Sequence, residues 1–225
     1  MSRKETKRVK VREGYDLWAN TYDQTPNPVV AMDSRYTLNL LNPQPGQKIL
    51  DAGCGTGRNL TRIRAAGARP FGIDFSLGML RVAQRMAPDV PLIQADLQAE
   101  FPYRESRFSA VLCALIGEHL DNLPLTLSQI WKVLEPGGTL VFSVYHPDLA
   151  EAGKEANFEL GETEYRLGAI RYTTAGYLQM ATTAGFRKIQ IFEYHGDDQL
   201  IAQIPKAADL LNKPVILALK AKRPL

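Results

Sequence analysis

Three glycines at alternate positions with an acid just before them form the stretch Ile49-Leu50-Asp51-Ala52-Gly53-Cys54-Gly55-Thr56-Gly57. Such a run lets a strand turn sharply into a helix and lets a ligand touch bare backbone. A second acid, Asp74, ends the next apolar run, where a carboxylate can accept hydrogen bonds from the two hydroxyls of a ribose. A third, Asp96, ends the run after that. The dinucleotide fingerprint G-x-G-x-x-G would place glycine at position 58, but Arg58 stands there. Asp51 would also repel a pyrophosphate and suits a ligand with an ammonium group. These two residues argue against a nicotinamide-dependent oxidoreductase.

Proton-transfer chemistry has three imidazoles to draw on. Glu118-His119 follows the uncharged run Phe108–Ile116, and His146-Pro147 follows the run Thr139–Tyr145. Both are expected at the carboxyl ends of parallel strands, beside the ligand crevice of an open sheet. His119 and His146 are therefore candidates for a base or a substrate anchor, with Glu118 or Tyr145 as orienting partners. His195, beside Gly196-Asp197-Asp198, reads as part of a solvated turn. A metal site from His119, His146 and Glu118 would need a spatial convergence that spacing does not supply, and no metal is expected. Cys54 and Cys113 read as a small loop residue and a buried apolar one, not as nucleophiles.

Short apolar runs alternate with amphipathic stretches from Gln47 onward. Strands are expected over Lys48–Leu50, Phe71–Asp74, Leu92–Ala95, Phe108–Ile116, Thr139–Tyr145, Phe186–Tyr194 and Val215–Lys222, and helices over Arg58–Ala66, from Ser76 through Met86, and over Asp121–Leu134 and Thr173–Ala184. Gly67 and Gly185 are expected to end helices, Ser76 to cap one, and Pro136-Gly137-Gly138 to stop the helix over Asp121–Leu134. This is an α/β chain with a doubly wound, mostly parallel seven-stranded sheet. Residues 1–12 read as a basic mobile tail and 13–225 as one domain. Residues 13–46 form an N-terminal helical cover, and 146–172 a lid-like insertion after the fifth strand. Arg166 and Arg171 in that insertion can meet a substrate carboxylate or pair with neighbouring glutamates.

The chain has 225 residues and a net charge of +3. Residues 1–12 carry six cations against Glu5, so the rest is slightly acidic and lacks the basic stripe that phosphate backbones need. No apolar run reaches the roughly 20 residues of a membrane span. The charged start has no apolar h-region, which predicts no signal peptide. Two cysteines are no disulfide framework, so a cytoplasmic setting is expected.

Taken together, Asp51-Ala52-Gly53-Cys54-Gly55-Thr56-Gly57, Asp74, Ala95-Asp96-Leu97 and Leu134-Glu135-Pro136-Gly137-Gly138 resemble class I S-adenosylmethionine-dependent methyltransferases over roughly residues 47–145. The opening Tyr15-Asp16-Leu17-Trp18-Ala19-Asn20-Thr21-Tyr22-Asp23 is similar to that of small-molecule enzymes akin to the ubiquinone and menaquinone methyltransferases. The resemblance implies S-adenosylmethionine as cofactor, S-adenosylhomocysteine as product and a small-molecule acceptor. It implies that Gly53, Cys54 and Gly55 approach the methionine moiety with Asp51 on the ammonium side, and that Asp74 holds the ribose. It also implies Phe75 and Met79 beside adenine, Asp96 and Leu97 at its amino edge, and Leu115 beneath the sulfonium. Tyr15 and Tyr22 are implied to close over the cofactor, Tyr22 also reaching the reaction site; a packing stripe with Trp18 is the plainer reading of that helical spacing. The Asp/Asn-Pro-Pro-aromatic element of amino-methylating nucleic-acid enzymes is replaced here by Ile116-Gly117-Glu118-His119-Leu120. Besides the nucleic-acid alternative, a noncatalytic S-adenosylmethionine-binding module is the reading from a different class. Aligning an in-line displacement is worth roughly 7–11 kcal/mol, and a base adds about 10²- to 10⁴-fold. The acceptor, the atom methylated and the oligomeric state are not fixed by these residues.

Overall fold

A computed structural model describes residues 5–225. In chain order, β1 (Glu5–Arg8), α1 (Val11–Trp18) and α2 (Pro28–Leu41) precede the glycine loop. Then come β2 (Lys48–Ala52), α3 (Arg58–Ala65), β3 (Arg69–Asp74), α4 (Leu77–Met86), β4 (Leu92–Gln94), β5 (Phe108–Ala114), α5 (Leu123–Val133) and β6 (Leu134–Tyr145). The remainder is α6 (Pro147–Glu151), β7 (Asn157–Leu160), β8 (Thr163–Arg166), α7 (Thr174–Thr183), β9 (Arg187–His195), α8 (Asp198–Gln203) and β10 (Pro214–Lys222).

Seven strands form one sheet in the order β4-β3-β2-β5-β6-β10-β9. The first five are parallel, and β10 runs antiparallel to both β6 and β9. All five parallel strands therefore end at one edge, where Asp74 closes β3 and Gly53, Asp96, Leu115 and His146 follow the other four within two residues. Helices cover both faces. Leu123, Leu127 and Ile130 of α5 with Tyr177 and Ala181 of α7 pack on one side, and Leu38 and Leu41 of α2 with Ile63 of α3 on the other. The central strand β5 is uncharged because both its faces are buried. Ser76 caps α4 by accepting the Met79 N–H, and Gly67 and Gly185 follow α3 and α7 with positive φ, as their sequence positions predict.

Several boundaries differ from expectation. Pro136-Gly137-Gly138 lies inside β6, which starts at Leu134 and takes up the extra residues in a register shift against β5. Residues 1–4 of the expected tail lie outside the described residues. Glu5–Arg8 is not tail but a strand parallel to β8. The expected lid contains a real hairpin, β7–β8, so β1, β8 and β7 make a second, three-stranded sheet. Trp18 of α1 stacks on Phe158 of β7 with centroids 4.9 Å apart, and Leu167 completes that small core. The amino-terminal segment and the insertion, read separately in the sequence, are thus one packed body. Helix α8, between β9 and β10, had no apolar periodicity to announce it. No helix among the described residues is long and apolar enough to cross a membrane.

Candidate active site

The turn after β2 is built around backbone. Gly53 has φ of +82°, and a Cβ there would come within 2.8 Å of the Ile116 side chain. The Gly53 and Cys54 N–H groups both donate to Ile73 O, and the Gly55 N–H donates to Asp74 Oδ2 at 2.9 Å. These amides are spent on holding the loop against β3, so the loop offers a ligand its bare Cα surface. A Cβ on Gly55 would meet no atom within 4 Å. It would enter the cleft itself.

That cleft is walled by Tyr15, Tyr22, Gly53, Cys54, Gly55, Asp74, Phe75, Met79, Asp96, Leu97, Leu115 and His119 among others. Twelve of the sequence-selected positions therefore share one wall. Asp74 accepts Ser76 N–H with Oδ1 and Gly55 N–H with Oδ2, each at 2.9 Å, which aims the carboxyl and leaves further lone pairs for ligand hydroxyls. Burial holds its pKa up at about 6, against the lowering effect of those two amides. Asp96 accepts Gln98 N–H, and Arg12 of α1 reaches it at 3.7 Å while lying over the Phe75 ring. Tyr15 Oη and His119 Nε2 are 2.9 Å apart, and Thr56 Oγ1 donates to Asp23 Oδ1 at 3.1 Å. Asp16 Oδ1 accepts from Ser76 Oγ and Gly78 N. The N-terminal segment is thereby fastened across the cleft at four places.

Two selected residues stand elsewhere. Asp51 is 1% exposed and lies behind the wall rather than on it; its Oδ2 has no hydrogen-bond partner. Burial raises its pKa to about 7, with Arg58 opposing. His146 lies in neither this cleft nor its neighbour. It caps α6, Nδ1 accepting from Asp148 N, and its Nε2 lies 3.4 Å from Glu193 of β9. The start of an insertion places a residue near the rim, but here the ring turns toward the antiparallel side of the sheet. Among the described residues no three His, Cys, Asp or Glu groups converge as a metal site.

Sequence reasoning missed Arg58 and Asn59, which line the cleft, and Asp33 behind them. Asp33, 1% exposed on α2, accepts from Arg58 Nη2 at 2.8 Å, Ser143 Oγ at 2.6 Å and Thr37 Oγ1 at 2.5 Å. Ser34 also accepts from Arg58. The signal was present only as the refusal of glycine at position 58; nothing local announces Asp33 as its partner.

A second cleft adjoins the first, sharing Tyr15, Tyr22 and Leu115. Trp18, Val29, Val30, Tyr145, Leu149 and Leu210 give it apolar walls, with Glu118 within and Lys154 and Lys206 among the charged groups. Leu115, at the junction, has φ of +58°, a conformation costing a branched residue about 1–3 kcal/mol and found where function demands it. Burial lowers the His119 pKa to about 4 and raises that of Tyr22 to about 12, so near neutrality the imidazole is uncharged and the phenol keeps its proton.

The donor set fits a cationic nucleoside: apolar rings and thioether for a base, Asp74 for hydroxyls, an unpartnered buried oxygen for an ammonium, and Arg58 for a carboxylate. Comparison with known proteins agrees. A family model described as a methyltransferase domain matches residues 50–142. The demethylmenaquinone methyltransferase of Renibacterium salmoninarum is 32% identical over 162 residues, 69% of this chain and 65% of that protein. Its Streptomyces avermitilis counterpart is 30% identical over 167 residues, 72% of this chain and 69% of that protein. The matched region thus spans about two thirds of the length of these relatives. The structure of an S-adenosylmethionine-dependent methyltransferase from Mesorhizobium loti superimposes with a TM-score of 0.72 at 22% identity, covering 88% of this chain and 100% of that one. That likeness bears on the fold, and the sequence relatives carry the kinship. Given the match across more than two thirds of the Streptomyces enzyme, the chain belongs to the class I S-adenosylmethionine-dependent methyltransferases.

Proposed function

We propose that this protein transfers a methyl group from S-adenosylmethionine to a small, apolar, ring-bearing acceptor that enters through the second cleft. The observation that carries this reading is the junction: two clefts of different chemistry meet at Tyr15, Tyr22 and Leu115. The cofactor supplies an electrophilic methyl on a sulfonium. In this reading Asp74 holds the ribose hydroxyls, and Phe75, Met79 and Leu97 give adenine an apolar slot. Asp51 attracts the ammonium from behind the glycine loop, and Arg58 the carboxylate. Tyr15 and Tyr22, on the fastened N-terminal segment, exclude water from the junction, which strengthens every charge interaction inside it. The packed body of residues 5–22 and 156–167 serves as cover for both clefts. A cytoplasmic location suits this chemistry.

The Renibacterium and Streptomyces relatives are named demethylmenaquinone methyltransferases, which supports an acceptor of the quinone or quinol class, and so do the aromatic and aliphatic walls. A relative from Serratia marcescens, named a malonyl-[acyl-carrier protein] O-methyltransferase, is 30% identical over 138 residues. The buried acid Glu118 in the second cleft disfavours a carboxylate acceptor here. The test is a labelled-methyl assay with a panel of quinols, phenols, amines and carboxylic acids. Label in the quinol or phenol fraction, with S-adenosylhomocysteine formed in step, is expected. Absence of transfer to every member would overturn the reading.

A further inference from the structure

Among the described residues three acids line the second cleft, and Glu118 alone of them is buried without an ion pair, for Glu155 faces Arg8 and Arg166 and Asp209 faces Lys154. It sits in the single turn Gly117–His119 directly after β5, is 7% exposed, and its Oε2 has no hydrogen-bond partner. The turn cannot drift. A Cβ on Gly117 would come within 2.6 Å of Val144 and Phe142, so the backbone is pressed on β6, and the Glu118 carbonyl accepts Ile170 N–H at 2.8 Å. A rigidly held, buried oxygen with no donor is costly unless a ligand supplies one. Leu115, three residues earlier, is where the cofactor cleft opens into this one.

We infer that Glu118 is the acceptor-side general base, its free Oε2 receiving the proton of a ring hydroxyl on the methyl acceptor. This rests on the methyl-transfer reading above. The O–H proton passes to Glu118, and the released electron pair forms the new bond to the methyl carbon. The C–S bond breaks with its pair kept by sulfur. If the new bond forms at a ring carbon conjugated with the hydroxyl, that carbon's hydrogen then leaves to water as the ring regains aromaticity. The acceptor class is a hydroxylated apolar ring.

The surroundings suit the role. Tyr15 of α1, Tyr22, Asp33 of α2, Cys113 of β5, Tyr145 of β6 and Tyr177 of α7 act on Glu118 electrostatically; the charged groups that line clefts with it, Lys154, Glu155, Lys206 and Asp209 on one side and Lys10, Arg12, Asp96 and Asp121 on the other, form no ion pair with it among the described residues. Burial raises the carboxyl pKa to about 7, with Asp33 adding to the rise, which is the range where a base works best at neutral pH. His119, its neighbour, is engaged by Tyr15 and is too weak a base for the task.

The experiment is calorimetry of naphthol binding to the full chain, without cofactor, at about pH 5.5 and about pH 8. Wild type is expected to bind at least about five-fold more tightly at the higher pH and to release protons on binding near pH 6.5. Glu118→Gln is expected to lose that pH dependence while keeping its affinity for S-adenosylhomocysteine within about two-fold. Should the variant not fold, proton release by the wild type, read in two buffers of different ionisation heat, decides alone. Naphthol that binds without proton release, or not at all, or with unchanged pH dependence in Glu118→Gln, overturns the assignment. Failure of S-adenosylhomocysteine to bind wild type would instead remove the methyl-transfer reading, and the naphthol titration does not depend on it.

Discussion

Replacing Asp51 by asparagine should make the cofactor-free protein more stable above neutral pH and a worse binder. The carboxyl is buried behind the glycine loop with one oxygen unpartnered, and burial raises its pKa from 3.8 to about 7. A carboxyl that holds its proton more tightly in the folded than in the unfolded chain costs stability as pH rises through that interval. The cost is absent below about pH 4 and complete above about pH 7, where it amounts to about 4 kcal/mol. Asparagine removes the charge but keeps a polar group with imperfect partners, which returns about 1–3 kcal/mol. The net gain expected at pH 8 is therefore about 1–3 kcal/mol, or about 3–10 °C in melting temperature for a chain of this size, against a loss of about 1–3 kcal/mol at pH 4. Loss of the attraction for the ligand ammonium should weaken S-adenosylhomocysteine at least about ten-fold. The assay is thermal unfolding of both proteins from pH 4 to 8, with calorimetry of the cofactor product. Parallel melting curves against pH, or an asparagine variant less stable than wild type at pH 8, would mean that Asp51 is favourably paired and the reasoning is wrong.

Gly78→Ala places a Cβ within 2.9 Å of Asp16 O and 3.0 Å of its Cα. It should loosen α1, seen as faster hydrogen exchange over residues 11–18 and several-fold weaker S-adenosylhomocysteine. Arg58→Met leaves Asp33 charged and buried without its cation and should cost about 3–5 kcal/mol in denaturant unfolding; combining it with Asp33→Asn should recover much of that loss. His119→Gln should leave the rate–pH profile between about pH 5.5 and 8 unchanged in shape, because the imidazole titrates near 4. His146→Gln should leave the methyl-transfer rate itself unchanged, since the ring faces Glu193 away from both clefts.

The parts legible in the sequence are those written locally. The glycines after β2 and the acids after β3 and β4 lie within a few residues of the strands that position them, so spacing and residue type suffice. The same holds for Ser76, whose capping partner is three residues away. What escaped depends on contacts across the chain. Asp33 meets Arg58 and Ser143 only once α2 lies on the sheet. Trp18 finds Phe158, and β1 finds β8, across about 140 residues or more, and those strands have four residues each with no strong alternation to mark them. His146 stands apart from both clefts for a related reason. Its position after β6 was right, but the direction of its ring is set by β9 and β10, whose antiparallel addition no local signal reports.

A crystal structure of the chain with S-adenosylhomocysteine bound is the most direct test of the two-cleft arrangement. Density should follow the cleft from Phe75 and Asp74 to the bare surface of Gly53 and Gly55, with the sulfur at Leu115 between Tyr15 and Tyr22, facing the second cleft. A ligand elsewhere, or one whose sulfur points away from that junction, would contradict the proposed route of methyl transfer.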